Sequence, residues 1–283
     1  MLTTDVWELL VIDNASAAEK VPRPDLSWHP RARLLKEPKL GLTQARLRGI
    51  QEAAGELLVF VDDDNVLDPD YLGTAQRVAQ QKLFLGSWSG QCRPEFEEPP
   101  PDWTRRYWGN LVIRLFDQDV WSNLPRLSET MPCGAGLCVR REVAQHYLHL
   151  HEAGKRSMLL DRVGGSLVSG GDNDLAACAC DLGLGVGLIA ALKLTHLIPP
   201  ERLTERYLIR LADGIYYSAV VISYLRASEA ELASYRVRLR DYVLALAANG
   251  MVHRKIRLAC LRGRRRGIEF VASQRNSDIS TLR

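Results

Sequence analysis

The chain has 283 residues, of which 46% are apolar and 25% are charged, a composition typical of a globular protein with one large domain and an appendage. The net charge is only +3, so charge excludes nucleic acid as a partner of the molecule as a whole. The polar, acidic start lacks the apolar core of a secretory signal, and the six cysteines show no paired CxxC spacing. We therefore expect a cytoplasmic protein with reduced thiols.

The N-terminal part alternates between strand and helix patterns. Trp7 to Ile12 is apolar except for Glu8 and stops at Asp13-Asn14, a pair typical of turns, and this predicts a buried strand. A proline-rich passage follows. Apolar residues at helical spacing then predict a helix over 42–54, and the run LLVFV predicts a second buried strand over 57–61.

A second helix is predicted after this strand. Asp68 is the predicted N-cap, Pro69 the first helical residue, and the helix continues to about Gln81. The order strand, helix, strand, helix predicts an α/β domain with a mostly parallel sheet flanked by helices. Such sheets bind ligands beyond the carboxyl ends of their strands. Asp13 and the acidic residues 62–64 both fall at those ends.

Two further segments have distinct compositions. Residues 93–108 are rich in proline, acid and aromatic side chains, which predicts a long surface loop. From Thr204 onward, apolar residues recur every three to four positions, which predicts helices. We therefore expect a domain over 1–205 and a helical extension over 206–283.

The predicted extension contains a basic segment, Arg254 to Arg266, with seven basic residues and no acidic one. Such a run is either a solvated helix face or a contact for phosphate or anionic lipid. The longest apolar run, 182–192, is too short to span a bilayer. Membrane contact is therefore expected to be peripheral, through the basic segment, at the inner face of the membrane.

Three consecutive carboxylates, which we call the acidic run (Asp62, Asp63 and Asp64), directly follow the second predicted strand. They would repel one another unless a cation lay among them, and oxygen ligands select a hard ion such as Mg²⁺ or Mn²⁺. Asp62 and Asp64 can face the same side if the strand geometry persists. The alternative is that the aspartates only form turns or cap a helix. Their place at a strand end favours the ligand site.

A second acidic site comprises Asp172 and Asp174, which follow two glycines and precede a predicted helix. A carboxylate in such an open pocket can act as a general base. The alternative is that one of them is the N-cap of the helix. The two interpretations are compatible, because one aspartate could cap the helix while the other acts as the base.

The order of these segments resembles family 2 glycosyltransferases. The resemblance is carried by WELLVIDNAS, EPKLGLTQARLRGIQEAAGELLVFVDDDNVLDPDYL, MPCGAGLCVRREV, SGGDNDLAACACDLG and THLIPPERLT, from about Val6 to about Tyr207. It implies a GT-A fold and an inverting transfer of sugar from a nucleotide sugar, such as a UDP-sugar, assisted by Mn²⁺ or Mg²⁺. The acceptor would be a saccharide or a lipid-linked hydroxyl, as in polysaccharide biosynthesis.

The resemblance also implies roles for single residues on the donor side. Asp13 would meet the nucleotide base, and Arg46 would lie near the nucleotide. Asp62 and Asp63 would belong to the donor site, and Asp64 would be the carboxylate that binds the metal on the diphosphate.

On the acceptor side, the resemblance implies that Asp172 is the general base. His196 is implied at the metal or the diphosphate, and without the resemblance it would equally suit a packed histidine after a strand. The pocket for sugar and acceptor would be formed by Gly134, Ala135, Gly136 and Asp174.

The sequence departs from the family pattern in two ways. Gly171 stands where a glutamate usually precedes the base, which removes one acidic contact to the acceptor. Family members also carry a further strand and helix before the position of Trp7, so the domain is expected to be N-terminally truncated. This difference motivates another interpretation, a catalytically impaired remnant that only binds a nucleotide sugar.

A haloacid-dehalogenase-like phosphatase is a further alternative. Asp62-x-Asp64-x-Val66 after an apolar strand also fits the DxDx(T/V) motif of that family, with Asp172 or Asp174 as the Mg²⁺ carboxylate. However, that family carries its DxD on the first strand, and it separates its second pair of carboxylates more widely.

Overall fold

The computed structural model describes residues 2–16, 24–125, 129–156, 160, 167–226 and 229–281. The chain forms two compact units. The first comprises residues 1–95, 112–158 and 171–198, and the second comprises residues 96–111, 159–170 and 199–283. The second unit thus joins the C-terminal part to two earlier segments, and the boundary between residues 205 and 206 stays a prediction.

The first unit contains a small parallel sheet. Its strands, β1 (Leu9–Asn14) and β2 (Ala32–Glu37), pair from Leu9 opposite Ala32 to Asn14 opposite Glu37. β1 confirms the predicted strand, two residues further along the chain, but all six of its residues are half-buried, so the predicted burial is wrong. The side-chain nitrogen of Asn14 donates to the Glu37 and Lys39 carbonyls, and its side-chain oxygen accepts from the Gly41 backbone amide at 2.8 Å. These bonds fix the chain that enters the first helix.

A larger sheet has six strands, which are β3 (Leu57–Phe60), β4 (Asn65–Leu67), β5 (Leu85–Phe96), β6 (Val120–Ser122), β7 (Leu137–Arg140) and β8 (Gly185–Ile198). Its order is β3, β7, β5, β8, β4, and β6 also pairs with β8. The pairs β3–β7, β5–β7, β4–β8 and β6–β8 are antiparallel.

The predicted mostly parallel orientation is therefore wrong for these four pairs. The alternation of strands and helices predicts that successive strands run in the same direction. This holds for β3 and β5, because both run opposite to β7. However, β7 comes later in the chain and lies between them, so they are not neighbours. The local pattern fixes the direction of a strand but not its neighbour in the sheet.

Four helices belong to the first unit: α1 (Leu42–Glu52), α2 (Tyr71–Gln81), α3 (Arg141–Glu152) and α4 (Gly171–Asp181). α1 confirms the predicted helix and buries Leu47 and Ile50. α2 begins at Tyr71 with Asp70 as its N-cap, so the predicted start at Asp68 is wrong. The Asp68 amide instead donates to the Lys193 carbonyl of β8, which keeps this residue attached to the sheet.

Buried side chains cover both faces of the larger sheet. Leu137 and Val139 of β7 join a core cluster that includes residues of α1, α3 and α4. Cys138, between them, points into a second cluster with residues of α2, β5 and β8. Alternate residues of a strand point to opposite faces, so the sheet is flanked by helices on both sides. This confirms the predicted α/β class. All six cysteines are free thiols.

The second unit is mainly helical. Its helices are α5 (Glu205–Arg226), α6 (Glu229–Ser234), α7 (Leu239–Leu246) and α8 (Met251–Thr281). They confirm the predicted C-terminal helices. β5 continues to Phe96 and a 3₁₀ helix spans Asp102–Leu111, so both ends of the predicted surface loop are regular structure and that prediction is wrong. Tyr107 of this 3₁₀ helix is buried, and its hydroxyl lies 2.6 Å from Nδ1 of His253 in α8. The segment therefore packs against α8 within the second unit.

α5 and α8 pack closely. A Cβ atom added to Gly263 of α8 would lie 2.2 Å from the Asp213 carbonyl oxygen, and one added to Gly267 would lie 2.7 Å from Cβ of Val220. Two glycines four residues apart therefore let the helices approach. Among the described residues, α5 is the one helix whose length and composition would allow it to cross a membrane, a test that a core helix of a soluble protein also passes.

Most cations of the basic segment form contacts inside this unit. Lys255 pairs with Glu205 at 2.6 Å, and Arg262 and Arg266 both pair with Asp213, at 3.3 and 2.9 Å. Further along α8, Arg265 pairs with Glu269, and Arg264 donates to the carbonyls of residues 234–236. The segment thus fastens α8 to its neighbours.

Candidate functional site

The acidic run forms the turn between β3 and β4. β3 ends at Phe60, and the Asn65 amide, at the start of β4, donates to the Asp62 carbonyl at 3.0 Å. Asp62 and Asp64 are half-buried, whereas Asp63 is exposed. Asp62 and Asp64 are therefore the more enclosed residues of the run, although β3 ends at Phe60 and the strand geometry on which the predicted alternation depended does not persist.

Asp64 and His196 are brought together by the pairing of β4 with β8. Asn65 lies opposite His196, and the Leu197 amide donates to the Asp64 carbonyl at 2.8 Å. This register places Oδ2 of Asp64 3.4 Å from Nε2 of the buried His196. The side-chain amide nitrogen of Asn65 donates to Oδ1 of Asp64 at 2.9 Å. The two carboxylate oxygens of Asp64 therefore have different partners.

The geometry of this pair fits a shared divalent cation. Mg²⁺ binds oxygen ligands at about 2.0–2.1 Å in an octahedron, so two adjacent ligand atoms are about 3 Å apart. Oδ2 of Asp64 and Nε2 of His196 are close to that separation. Carboxylate oxygen suits Mg²⁺ and Mn²⁺ better than imidazole nitrogen does, so Asp64 would be the main ligand of the pair and His196 an additional one. The pair can therefore supply part of a coordination sphere.

Asp172 contacts the glycine-rich segment that the sequence singled out. It lies in the first turn of α4, and its Oδ2 accepts a hydrogen bond from the Gly134 amide at 2.7 Å. Next to it, the Asn173 side chain donates to the Pro132 carbonyl at 3.1 Å. Two consecutive residues of α4 thus tie the helix start to residues 132–134. Asp172 itself stays half-buried, so part of its carboxylate is accessible.

Arg46 lies on the same side of Gly134. A Cβ atom added to Gly134 would be 2.7 Å from a guanidinium nitrogen of Arg46 and 3.0 Å from Oδ2 of Asp172. Glycine at this position therefore lets a buried cation and a carboxylate converge on one backbone segment. The structure brings together Arg46, Gly134 and Asp172, which the sequence predicted from separate parts of the chain.

Gly136 is held by a residue that the sequence did not predict for the site. The hydroxyl of Tyr71 donates to the Gly136 carbonyl at 2.6 Å, and burial raises the pKa of Tyr71 well above its usual value, which keeps the phenol protonated. Gly136 has φ of +67°, and a Cβ atom there would lie 2.4 Å from the Tyr71 hydroxyl. Ala135, between the two glycines, is buried.

Asp174 has a different environment from Asp172. Its Oδ2 accepts from Nε of Arg156 at 2.9 Å, and the two side chains are only 2% and 11% exposed. α4 begins at Gly171, so the capping position precedes both aspartates and neither is the N-cap. Both carboxylates instead lie in the first turn, where the helix dipole favours negative charge.

Asp174→Asn is expected to lower the free energy of unfolding by about 3 kcal/mol, because neutralising one partner leaves the buried Arg156 uncompensated. Chemical denaturation of the parent and the variant measures this difference. Asp172→Asn is the matched control, since its half-buried carboxylate forms no such ion pair with any residue that the structure describes, and it should unfold like the parent. An Asp174→Asn protein as stable as the parent would refute a structural role for the pair.

Asp13 lies in the smaller sheet, in the part of β1 opposite Lys36. Its Oδ1 accepts from the Ser16 amide at 3.1 Å. Hydrogen bonds from Ser16, with a smaller effect of Lys36, lower the pKa of Asp13, so the carboxylate is ionised at neutral pH. Its described contacts are local, and its predicted role at the nucleotide base stays a prediction.

The sequence was compared with known protein families. The sequence model of the family described as "Glycosyl transferase family 2" matches residues 2–148, just over half of the chain. The match includes Arg46, the acidic run and the Gly134–Gly136 segment, and it ends before Asp172 and His196. Among curated protein sequences, none shows a significant match.

Solved structures extend the comparison. The mannosyltransferase PcManGT from Pyrobaculum calidifontis, in complex with GDP-Man and Mn²⁺, is 17% identical with a TM-score of 0.53, over 99% of this chain and 79% of that chain. Staphylococcus aureus TarS 1–349 is 12% identical, with a TM-score of 0.46, over 96% and 84%. GalNAc-T7 with UDP, GalNAc and Mn²⁺ is 13% identical, with a TM-score of 0.44, over 81% of this chain and 47% of that chain.

This chain thus spans about half the length of GalNAc-T7. At these identities a structural likeness bears on the fold alone. The likeness to PcManGT confirms the predicted GT-A fold.

Proposed function

The chain belongs to glycosyl transferase family 2, and from this premise we propose that it transfers a sugar from a nucleotide-diphosphate sugar to an acceptor hydroxyl, with inversion at the anomeric carbon. The observation that carries the proposal is the pairing of Asp64 with His196 and of Asp172 with Gly134, both within the first unit. The first pair suits a cation on the diphosphate, and the second suits a positioned base.

For the cation, we propose Mn²⁺ or Mg²⁺, held by Asp64 and His196. Their ligand atoms are 3.4 Å apart, as adjacent ligands of one ion require with little adjustment. A bound divalent cation supplies Lewis-acid stabilisation of the charge on a departing diphosphate. Two of the similar structures are described with Mn²⁺, which supports the choice of ion.

For the donor, we propose that Asp13 contacts the nucleotide base and that Asp62 and Asp63 contact the remainder of the nucleoside. Arg46 would face the donor phosphates, since its guanidinium group is buried beside Gly134 and a buried cation is best compensated by an anion. Similar structures are described with UDP and with GDP-Man, so a UDP-sugar and a GDP-sugar are the first donors to test.

We propose Asp172 as the general base. The Gly134 amide holds Oδ2, so Oδ1 is the oxygen assigned to take the proton. In the displacement, the acceptor oxygen bonds to the anomeric carbon, the bond from that carbon to the diphosphate oxygen breaks, and the acceptor proton moves to Asp172. The diphosphate leaves with the electron pair. Gly171, in place of a glutamate, adds no second carboxylate beside the base.

For the acceptor, we propose a saccharide or a lipid-linked hydroxyl above Gly134, Ala135 and Gly136, as in polysaccharide biosynthesis. Because Asp174 is buried against Arg156, it would support this pocket through the start of α4 and would not contact the sugar.

Residues 1–205 would form the catalytic domain, and residues 206–283 a helical extension. We propose a cytoplasmic protein that contacts the membrane peripherally. Family membership removes the ground for a haloacid-dehalogenase-like phosphatase.

A panel of nucleotide sugars tested by thermal shift, with and without Mn²⁺, examines the proposal. A ligand that binds the native state at 100 times its Kd stabilises it by about 2.7 kcal/mol, which for a chain of this size corresponds to roughly 5–10 °C. We expect at least one nucleotide sugar to raise the melting temperature in Mn²⁺ and to do so less in EDTA. Mn²⁺ alone is the control. If no nucleotide sugar shifts the transition, donor binding is refuted.

A further inference from the structure

α7 exposes an apolar face to solvent. Leu239, Val243 and Leu246 follow one another at helical spacing, and they are 81%, 58% and 56% exposed. We call these three residues the α7 face. Beside them, Leu244 is 57% exposed and Met251, at the start of α8, is 72% exposed. Single exposed apolar residues are ordinary, but five within thirteen residues form a patch that marks an interaction surface.

Cations surround the α7 face. Arg240 lies within α7 and its side chain is 71% exposed. Arg254 and Arg257 of α8 donate to the carbonyls of Ala248 and Leu244, which places both guanidinium groups at the C-terminal end of α7. A carbonyl carries no net charge, so these two arginines keep theirs. This distinguishes them from Lys255, Arg262 and Arg266 elsewhere in the basic segment, whose charges are compensated by Glu205 and Asp213.

The acidic residue of α7 is already engaged. Asp241 is 3.7 Å from Arg240 through Oδ1, its Oδ2 accepts from the Arg238 amide at 2.8 Å, and its side chain is only 20% exposed. Asp241 therefore acts mainly as part of the capping box that begins the helix. The exposed surface of α7 combines apolar side chains with a ring of arginines.

We propose that the α7 face docks on an anionic lipid bilayer. Leu239, Val243 and Leu246 enter the boundary between headgroups and acyl chains, and Arg240, Arg254 and Arg257 contact lipid phosphates. A helix with an apolar face and flanking arginines is suited to lie in the plane of the interface. This inference deepens the peripheral contact proposed above by naming its surface, and it does not depend on sugar transfer.

Charge favours a bilayer over a second copy of the chain. In a symmetric dimer through the α7 face, the same patch would meet itself, and Arg240, Arg254 and Arg257 of both copies would be brought together. Like charges opposed across an interface weaken it. An anionic lipid surface instead presents the opposite charge to the arginines and an apolar interior to the face.

Sedimentation of the full chain with vesicles tests this surface. Phosphatidylcholine vesicles are compared with vesicles that also contain phosphatidylglycerol, at low and high salt. We expect roughly tenfold or stronger binding to the anionic vesicles, reduced by salt. Leu239→Gln/Val243→Gln/Leu246→Gln should lose about tenfold or more of that binding, because the apolar contribution is removed. Arg240→Gln/Arg257→Gln should reduce the preference for anionic vesicles.

Leu83→Gln/Leu115→Gln is the matched control, since these leucines are 70% and 66% exposed and lie in connecting segments of the first unit. It should bind vesicles like the parent. All replaced residues are exposed, so the melting temperature and any shift by nucleotide sugars should be unchanged, which separates this result from donor binding. Equal binding to both vesicle types, or full binding by the triple variant, would overturn the proposal. So would a dimer that the triple variant dissociates while vesicle binding persists.

Discussion

Asp172→Asn is expected to lower the rate of sugar transfer about 10²–10⁴-fold, the range that general-base catalysis supplies. Asparagine has nearly the same shape, and its side-chain oxygen can still accept the hydrogen bond from the Gly134 amide. It cannot take a proton at neutral pH. The start of α4 should therefore keep its position, and donor affinity should stay within about twofold of the parent, since a base that acts on the acceptor contributes little to holding the donor.

The measurement requires a donor and acceptor pair, found from the nucleotide-sugar panel. Transfer rate and donor affinity are then determined for the parent and Asp172→Asn. Asp181→Asn, the same chemical change at the exposed end of the same helix, is the control and should transfer like the parent. Transfer by Asp172→Asn at near the parental rate would contradict the assignment. A loss of donor affinity in step with the rate would contradict it equally, and would place Asp172 on the donor.

The strands that carry the proposed donor residues could be predicted from local sequence. The run before Asp62 is wholly apolar, and the run before Asp13 is apolar from Leu9 to Ile12, so both strands are recognisable. A turn after β3 follows from three aspartates in a row. The role of His196 came from the resemblance, and the structure adds the reason for its position: β8 pairs with β4 in a register that puts Asn65 opposite His196.

Other features have no local signal. β2 has no continuous apolar run, because it belongs to a two-stranded sheet in which none of its residues is fully buried. The antiparallel position of β7 depends on which strands become neighbours, and this is decided by packing across the whole sheet. Contacts between distant residues are equally invisible: Arg156 pairs with Asp174 from 18 positions away, and Tyr71 reaches Gly136 from 65. Such partners can be found only once the fold is known.

Asp64→Ala is expected to weaken the binding of nucleoside diphosphate by at least about 10–100-fold in the presence of Mn²⁺. Replacing a residue that only hydrogen-bonds to a metal ligand typically lowers metal affinity about 10–100-fold. Asp64 is assigned as a direct ligand, so its loss should lower affinity at least as much. His196 alone would then hold the cation, and imidazole suits Mn²⁺ less well without a carboxylate. Asp117→Ala is the matched control: this exposed carboxylate of the first unit has no assigned role in the site, so the variant should retain the parental affinity.

The central claim is that this site binds a nucleoside diphosphate through a metal. It is tested by calorimetric titration of UDP and GDP into the parent, Asp117→Ala and Asp64→Ala, each in Mn²⁺ and in EDTA. The account predicts that at least one nucleotide binds the parent tightly in Mn²⁺ and weakly in EDTA, and that Asp64→Ala in Mn²⁺ resembles the parent in EDTA. Equal affinity of the parent with and without metal, or of Asp64→Ala and the parent in Mn²⁺, would contradict it.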